Sequence, residues 1–114
     1  MSHIIFEKAK ELLNQGEWIK RDYAKDKNSN NVGKYSPEAT SFCLVGALDK
    51  ACFDLKLPIS KLIDSIYKLQ YLSNINLTLT AYNDYPSTTK EDILNLLDKG
   101  IKYEKMVNAS KKTY

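Results

Sequence analysis

Residues 36–55, SPEATSFCLVGALDKACFDL, decide the fold. Ser36 is a good helix N-cap, Pro37 suits the first helical position, and Glu38 adds a negative charge to the positive first turn. The residues that follow are almost all apolar, which is typical of a helix that is buried on most sides. The pattern therefore predicts a central buried helix over residues 37–55.

Small residues recur along one side of this predicted helix, at Ala39, Cys43, Gly46 and Ala47. Glycine costs about 1 kcal/mol relative to alanine inside a helix, so we expect another backbone to pack closely against Gly46. Cys43 has apolar neighbours and no nearby histidine, which indicates a buried structural thiol and not a nucleophile. We expect Cys43 and Cys52 to remain free and reduced, because they point to different sides of one helix.

Three further helices are predicted around the central one. Apolar residues at helical spacing indicate a helix over residues 3–15, with Gly16 just beyond its end. An amphipathic pattern indicates a helix over 58–72, and a capping box at 88–91 starts a last helix that ends near residue 106. The helix over 58–72 carries an apolar stripe that we expect to face the core, formed by Ile59, Leu62, Ile63, Ile66 and Leu69.

Strand patterns are shorter and fewer. Aromatic and β-branched residues over 18–24 predict a strand that pairs with residues 32–35 across a polar loop, and alternation over 74–80 predicts another strand. The chain is thus predicted to be one mainly α domain over residues 1–114, with about four helices around helix 37–55 and a small two-stranded β element. Residues 107–114 are predicted to be a flexible tail.

Composition narrows the classes of function. The chain has 114 residues, 43% hydrophobic and 27% charged, which fits one globular domain. A net charge of +3 gives no basic excess for nucleic acid, and no apolar stretch is long enough to cross a membrane. The N-terminal residues lack a signal-peptide pattern, so we expect a cytoplasmic protein. With His3 as its single histidine and scattered glycines, the sequence predicts no catalytic residue, metal site or cofactor.

Four motifs together resemble a known family: Trp18-x5-Ala24-x-Asp26, Ala39-x3-Cys43-x2-Gly46-Ala47, Tyr82-Asn83-Asp84 and Thr89-x3-Ile93-x3-Leu97. The resemblance is to a family of small uncharacterised bacterial and phage proteins, known as a domain of unknown function, and it spans most of the chain. The resemblance implies tryptophan at two positions where this chain has Phe42 and Tyr82. The resemblance implies an arrangement of elements and no particular reaction.

One candidate polar site stands out. Asp26, Tyr82, Asn83 and Asp84 supply carboxylates and an amide beside an aromatic ring, a set that suits a cation or a polar ligand. Asp22 or Arg21 would join such a site. In the alternative interpretation, Asn83 and Asp84 bond neighbouring backbone amides in an Asx-turn that leads into Pro86, because these residue types are common in turns.

Aromatic residues suggest a candidate interface. Of the eight tyrosines, Tyr67 and Tyr71 lie four residues apart on one predicted helix and form a surface patch or extend its buried stripe. Trp18 and Tyr23, beside Lys20-Arg21, suit a stacking surface for single-stranded nucleic acid, although Trp18 is also a natural core residue.

The function predicted first is a small non-enzymatic binding or regulatory protein that acts through a protein partner. The first alternative is a small-ligand-binding or enzymatic domain with its polar site near Asp26, Asn83 and Asp84. The second alternative is a weak nucleic-acid-binding protein, which the small net charge disfavours. Sequence leaves the partner's identity and the oligomeric state open.

Overall fold

The computed structural model describes residues 2–112, with the surroundings of side chains described for residues 3–109. The mainly α fold predicted from the sequence is confirmed, with a small sheet beside the helices. In chain order the elements are α1 (Ser2–Gln15), β1 (Glu17–Trp18), β2 (Ala24–Lys25), β3 (Ser41–Phe42), α2 (Leu44–Asp54), α3 (Ile59–Ser73), α4 (Leu79–Asp84) and α5 (Lys90–Lys112).

Residues 36–55, which were predicted to form one helix with its N-cap, form a turn, a strand and a helix. Ser36 starts only a turn, in which its carbonyl oxygen accepts from the N–H of Ala39 at 3.1 Å. The predicted helix start at residue 37 is wrong, because β3 takes the next residues into the sheet and α2 begins at Leu44. Cys43 is the N-cap of α2, and its Sγ accepts from the N–H of Gly46 at 3.3 Å.

The sheet has the strand order β1-β3-β2, with β1 parallel and β2 antiparallel to the central strand. Phe42 in β3 is buried and lies between Trp18 on one side and Ala24 on the other. The predicted pairing of residues 18–24 with 32–35 is therefore wrong. Val32 contributes one hydrogen bond, from its N–H to the Ala24 carbonyl at 3.3 Å, and the hydrogen bonds of β3 take the place of the expected partner strand.

Two helices share the centre of the core. Helix α1 packs against α2, α3 and α5, whereas α2 packs against α1, α3 and α4. Helix α2 is less enclosed than the sequence suggests, because Phe53 and Asp54 at its end are exposed. The expected close approach at Gly46 is confirmed, since an added Cβ there would collide with the carbonyl oxygen of Tyr23. Gly16 follows α1 as predicted, with the Thr40 carbonyl oxygen directly against it.

Between residues 58 and 84, the predicted helix is present and the predicted strand is replaced by a short helix. Helix α3 matches the prediction over 58–72 to within one residue. It ends at Ser73, and its C-cap Asn74 adopts a left-handed conformation with φ 54°. The strand predicted over 74–80 is wrong. Thr78 caps a short helix there, with its Oγ1 accepting from the N–H of Ala81 at 3.1 Å, and Leu79 enters the core.

The last helix starts one residue later than its predicted capping box. Thr89 and Asp92 form the reciprocal pair, at 3.2 Å and 2.9 Å, and Thr88 is buried before them. Helix α5 continues to Lys112, beyond the predicted end near residue 106. The mobility predicted for residues 107–114 stays a prediction, and residues 113–114 lie outside the described range. No helix within residues 2–112 is both long enough and apolar enough to span a membrane.

Candidate functional site

Asn83, one of the predicted site residues, lies buried in the last turn of α4. Its Oδ1 accepts from Trp18 Nε1 at 2.6 Å and from the N–H of Leu44 at 3.0 Å. Its Nδ2 donates to the carbonyl oxygen of Ile19 at 3.1 Å and to Asp84 Oδ1 at 3.0 Å. A side-chain amide can accept two and donate two hydrogen bonds, so this side chain is fully used in joining β1, α2 and α4.

Asp84 extends the same network, and we call Trp18, Leu44, Asn83 and Asp84 the Asn83 junction. Asp84 Oδ1 also accepts from the N–H of Arg21 at 2.8 Å. Arg21 has φ 74°, a left-handed conformation that a residue with a Cβ rarely adopts, and the carboxylate holds it there.

The junction differs from the Asx-turn interpretation of the sequence. The predicted Asx-turn is wrong in its partners, because Asn83 and Asp84 bond backbone groups 39 to 64 positions away in the chain. The turn itself begins at Tyr85, after α4 has ended. Residues from three of the four motifs that carry the family resemblance meet at or beside this junction, so those motifs build the scaffold.

A small cavity of about 130 Å³ opens beside the junction. It is lined by Arg21, Asp22, Tyr23, Cys43, Thr80, Asn83 and Asp84. Sequence reasoning brought Arg21, Asp22 and Asp84 together but missed Thr80, which the wrong strand prediction placed in an extended segment. Recognition of Thr78 as a helix N-cap would have placed Thr80 in the first turn of α4.

The structure does not bring Asp26 into this cavity. Its Oδ1 accepts from the backbone N–H groups of Asn28 and Asn30, each at 2.9 Å. These bonds, the one from Asn30 first, lower the pKa of the Asp26 carboxyl below its ordinary value. Asp26 therefore stabilises the loop formed by residues 26–30. Tyr82 is half-buried against the core, and burial raises the pKa of its hydroxyl.

Both thiols are buried and free, as predicted. Cys43 lines the cavity, yet burial raises the pKa of its thiol, and this effect outweighs the hydrogen bond from the N–H of Gly46. Burial raises the pKa of Cys52 to about 11. Both groups are therefore protonated thiols at neutral pH, which is the unreactive form.

The outer face of α3 has the opposite character. We use this name for Ile59, Ile63, Tyr67 and Tyr71, which are 73%, 46%, 66% and 78% exposed. Residues four apart advance by about 40° around a helix, so the four side chains follow an arc of about 120°. The expectation that Ile59 and Ile63 face the core is wrong, because the apolar stripe of α3 is wider than the surface that neighbouring helices cover.

A groove runs beside this face, between α3 and α4, with a volume of about 430 Å³. Ile63 and Tyr67 form one wall, and Val45, Thr78 and Leu79 belong to the opposite side of the lining. None of its lining residues is charged. The outer face of α3 and this groove make one continuous uncharged surface.

The other two candidate interface residues, Trp18 and Tyr23, differ in exposure. Trp18 is half-buried, its indole N–H is bonded to Asn83, and Lys20 Nζ lies 5.3 Å from the ring centroid. Tyr23 is exposed, with Lys34 Nζ 4.8 Å from its ring centroid. Lys20 therefore already covers one side of the Trp18 ring. The nucleic-acid interpretation stays a prediction.

Among residues 2–112, no group of three or more His, Cys, Asp or Glu side chains is arranged to hold a metal ion.

Comparison with known proteins gives one positive finding. A model of a family of unknown function, DUF6197, matches residues 3–103, which is most of the chain. No curated protein and no solved structure matches it.

Proposed function

This chain belongs to the family of unknown function DUF6197, and we propose that it is a small non-enzymatic binding or regulatory protein that contacts a protein partner through the outer face of α3. The observation that carries the proposal is the exposure of two isoleucines and two tyrosines on one arc of α3. A contiguous apolar patch of this kind on a small protein is typical of an interaction site.

The chemistry of the face supports a protein partner. Tyr67 and Tyr71 are rigid, large and amphipathic, and tyrosine is enriched among the residues that carry most of the binding energy at interfaces. Within the arc, Ser60 and Gln70 are the polar residues and no residue is charged, so a partner need not desolvate a charge.

The Asn83 junction favours a structural role over catalysis. Its amide has no remaining hydrogen-bonding capacity, and Cys43 beside it is a protonated thiol. A nucleophile needs an adjacent base or a lowered pKa, and Cys43 has a raised one.

The proposed setting is the cytoplasm of a bacterium or of a phage-infected cell. Two free buried thiols support a reducing compartment. The bacterial and phage setting is supported by the motif resemblance alone.

Site-specific photo-crosslinking in the native host tests the proposal. A photoreactive phenylalanine analogue replaces Tyr67, and the matched control carries it at Tyr103, an exposed tyrosine on α5. We expect a discrete protein adduct at position 67 and none at position 103. Equal labelling at the two positions, or no adduct at either, would overturn the proposal.

A second candidate function, binding of a small ligand in the cavity, is favoured by Arg21. Its backbone is held in a left-handed conformation, and its exposed guanidinium makes no ion pair with the described residues. A small molecule with a carboxylate or phosphate group suits this position. Arg21→Gly relieves the backbone strain and removes the charge, so it is expected to stabilise the chain yet abolish binding of anionic fragments in ligand-observed NMR. Equal binding to both proteins, or none to either, would remove this candidate.

A further inference from the structure

We infer that Tyr23, Tyr35 and Asp49 form a binding site for a methylated ammonium ion, and that the chain's own Lys34 occupies this site until such an ion displaces it. We call the three side chains the ammonium cage. Asp49 belongs to α2, and the two tyrosines lie in the loops before β2 and β3. The cage shares no residue with the outer face of α3, so this inference goes beyond the proposed function.

An ammonium group already lies in the cage. The Nζ atom of Lys34 is 3.2 Å from Asp49 Oδ2. The same atom lies over two rings, 4.8 Å from the centroid of Tyr23 and 5.5 Å from the centroid of Tyr35. A cation within about 6 Å of a ring centroid is attracted to the negative face of the ring. Lys34 therefore marks the point at which a cation gains from two rings and one carboxylate.

The walls of the cage are attached to α2 by contacts that do not involve the occupant. The Tyr35 hydroxyl donates to Asp49 Oδ1, and the Tyr35 ring stacks on Phe53 with centroids 4.4 Å apart. The hydrogen bond to Asp49 raises the pKa of Tyr35 to about 12, so the hydroxyl stays a donor at neutral pH. The Tyr23 carbonyl oxygen accepts from the N–H of Cys43 at 3.3 Å, which holds this backbone at the start of α2.

Lys34, by contrast, is free to turn away. Its side chain is 31% exposed and ends a flexible four-carbon stem. Gly33 before it lies in open space, with no atom beyond its chain neighbours within 4 Å of an added Cβ. Ion pairs that remain in contact with water contribute little, because solvent and side-chain entropy offset the attraction. The ammonium can therefore leave for water while the loop backbone stays in place.

The composition of the cage favours a methylated ammonium ion over a primary one. A primary ammonium is strongly hydrated, so it loses much of its hydration when it enters. A methylated ammonium presents apolar surface around its charge, which suits the faces of Tyr23 and Tyr35. The Asp49 side chain is only 15% exposed, and a carboxylate withdrawn from water attracts a cation more strongly. Once Lys34 leaves, Asp49 Oδ2 faces the vacated position.

Lys34 acts as a tethered competitor of the ligand. A group joined by a short flexible link has an effective concentration on the order of millimolar at its site. A free cation must displace that group before it binds. We therefore expect removal of the Lys34 ammonium to tighten binding of a methylated ammonium ion about tenfold.

Titration with tetramethylammonium, followed by NMR of the tyrosine ring protons, tests the inference. Lys34→Ala is expected to bind the ion about tenfold more tightly than the unchanged chain, with shifts at Tyr23 and Tyr35. Adding Asp49→Asn to that variant is expected to remove most of the gain, because the carboxylate charge is lost. Circular dichroism verifies that both variants fold.

Two controls separate the cage from general effects of charge and of apolar contact. Lys50 Nζ lies 5.4 Å from the Phe53 ring centroid, outside the cage, so Lys50→Ala is expected to bind like the unchanged chain. Neutral tert-butanol, of similar size to the ion, is expected to leave the rings unshifted. Binding to Lys34→Ala no tighter than to the unchanged chain, an equal gain in Lys50→Ala, or equal shifts with tert-butanol would overturn the inference.

Two sources carry this group, a small free molecule and a trimethylated lysine of a protein. Choline and a short peptide that contains trimethyllysine are each titrated into the unchanged chain. Tighter binding of choline assigns a free molecule, tighter binding of the peptide assigns a protein ligand, and either result supports the cage. Failure of both to shift the rings of Tyr23 and Tyr35 would overturn it. None of these outcomes changes the crosslinking expected at Tyr67, so the two proposals fail separately.

Discussion

The Asn83 junction and the outer face of α3 are opposites in chemistry and in exposure. The junction is polar and buried, and each polar atom of the Asn83 amide has a partner within the chain. The outer face is apolar and exposed, and no other element of residues 2–112 covers it. Buried polar groups must be hydrogen-bonded, so a polar motif often marks a structural joint. Apolar surface that the fold leaves uncovered is the better indication of a binding site here.

Loss of the Asn83 amide is expected to have the largest effect on stability. Asn83→Ala leaves the Leu44 N–H, the Trp18 indole N–H and the Ile19 carbonyl without their partner. We expect the free energy of unfolding in urea to fall by about 3–4 kcal/mol, since each buried unpaired group costs about 1–3 kcal/mol. The matched control Asn76→Ala, at an exposed position, should change it by less than about 0.5 kcal/mol. Similar losses in both variants would contradict the structural role of the junction.

Two truncations within α3 sharpen the contrast between its faces. Leu69→Ala opens a cavity in the core and is expected to lower the free energy of unfolding by about 3 kcal/mol. Tyr71→Ala, two positions away, should lower it by less than about 0.5 kcal/mol in dilute solution, because the tyrosine covers little of the chain. Urea denaturation of the two variants measures the difference. A large loss for Tyr71→Ala would mean that this face supports the fold.

Burial should protect both thiols of the folded chain. We expect Cys43 and Cys52 in the folded chain to react with iodoacetamide at least about a hundredfold more slowly than in urea, since burial raises both pKa values and blocks access. Mass spectrometry of the labelled peptides measures each rate. Rapid labelling of Cys43 in the native state would make the cavity a thiol site.

The smallest effect is expected at Asp26. Backbone N–H groups lower the pKa of its carboxyl in the folded chain, so the ionised form stabilises the fold above the unfolded pKa of about 3.9. That contribution is lost as the pH falls through the lower, folded-state pKa. Asp26→Asn should therefore have a slightly lower melting temperature than the unchanged chain at neutral pH. At a pH below the folded-state pKa, the two melting temperatures should be equal.

Thermal unfolding across this pH range tests the effect of Asp26. Asp64→Asn is the control, because Asp64 is an exposed carboxylate on α3. A constant difference between Asp26→Asn and the unchanged chain at every pH would contradict the assigned role.

Local signals predicted part of this fold. Helices α1 and α3 match their predictions to within about a residue, because capping residues and apolar spacing lie within each segment. The start of α2 could not be read locally, since residues 41–42 are held extended by strands on both sides. The segment before α4 alternates like a strand but has no strand to pair with, so Thr78 and its capping bond decide the outcome.

The candidate site was predictable only in part, for a related reason. Residue types alone identified Asn83 and Asp84 as special, but their partners lie at distant positions in the chain. Tyr67 and Tyr71 were predicted as interface residues, whereas Ile59 and Ile63 were assigned to the core. Apolar spacing gives the direction of a helix's buried face, but its width depends on the neighbours that tertiary packing supplies.

Backbone amide mapping by NMR tests the central claim most directly, because it observes both regions in one experiment. The isotopically labelled chain is recorded in dilute solution and then in native-host extract. We predict that shifts and line broadening concentrate on the outer face of α3 and leave Arg21 and Asp84 unchanged. Changes centred on Arg21 and Asp84, or no change in α3 in the extract, would contradict the account.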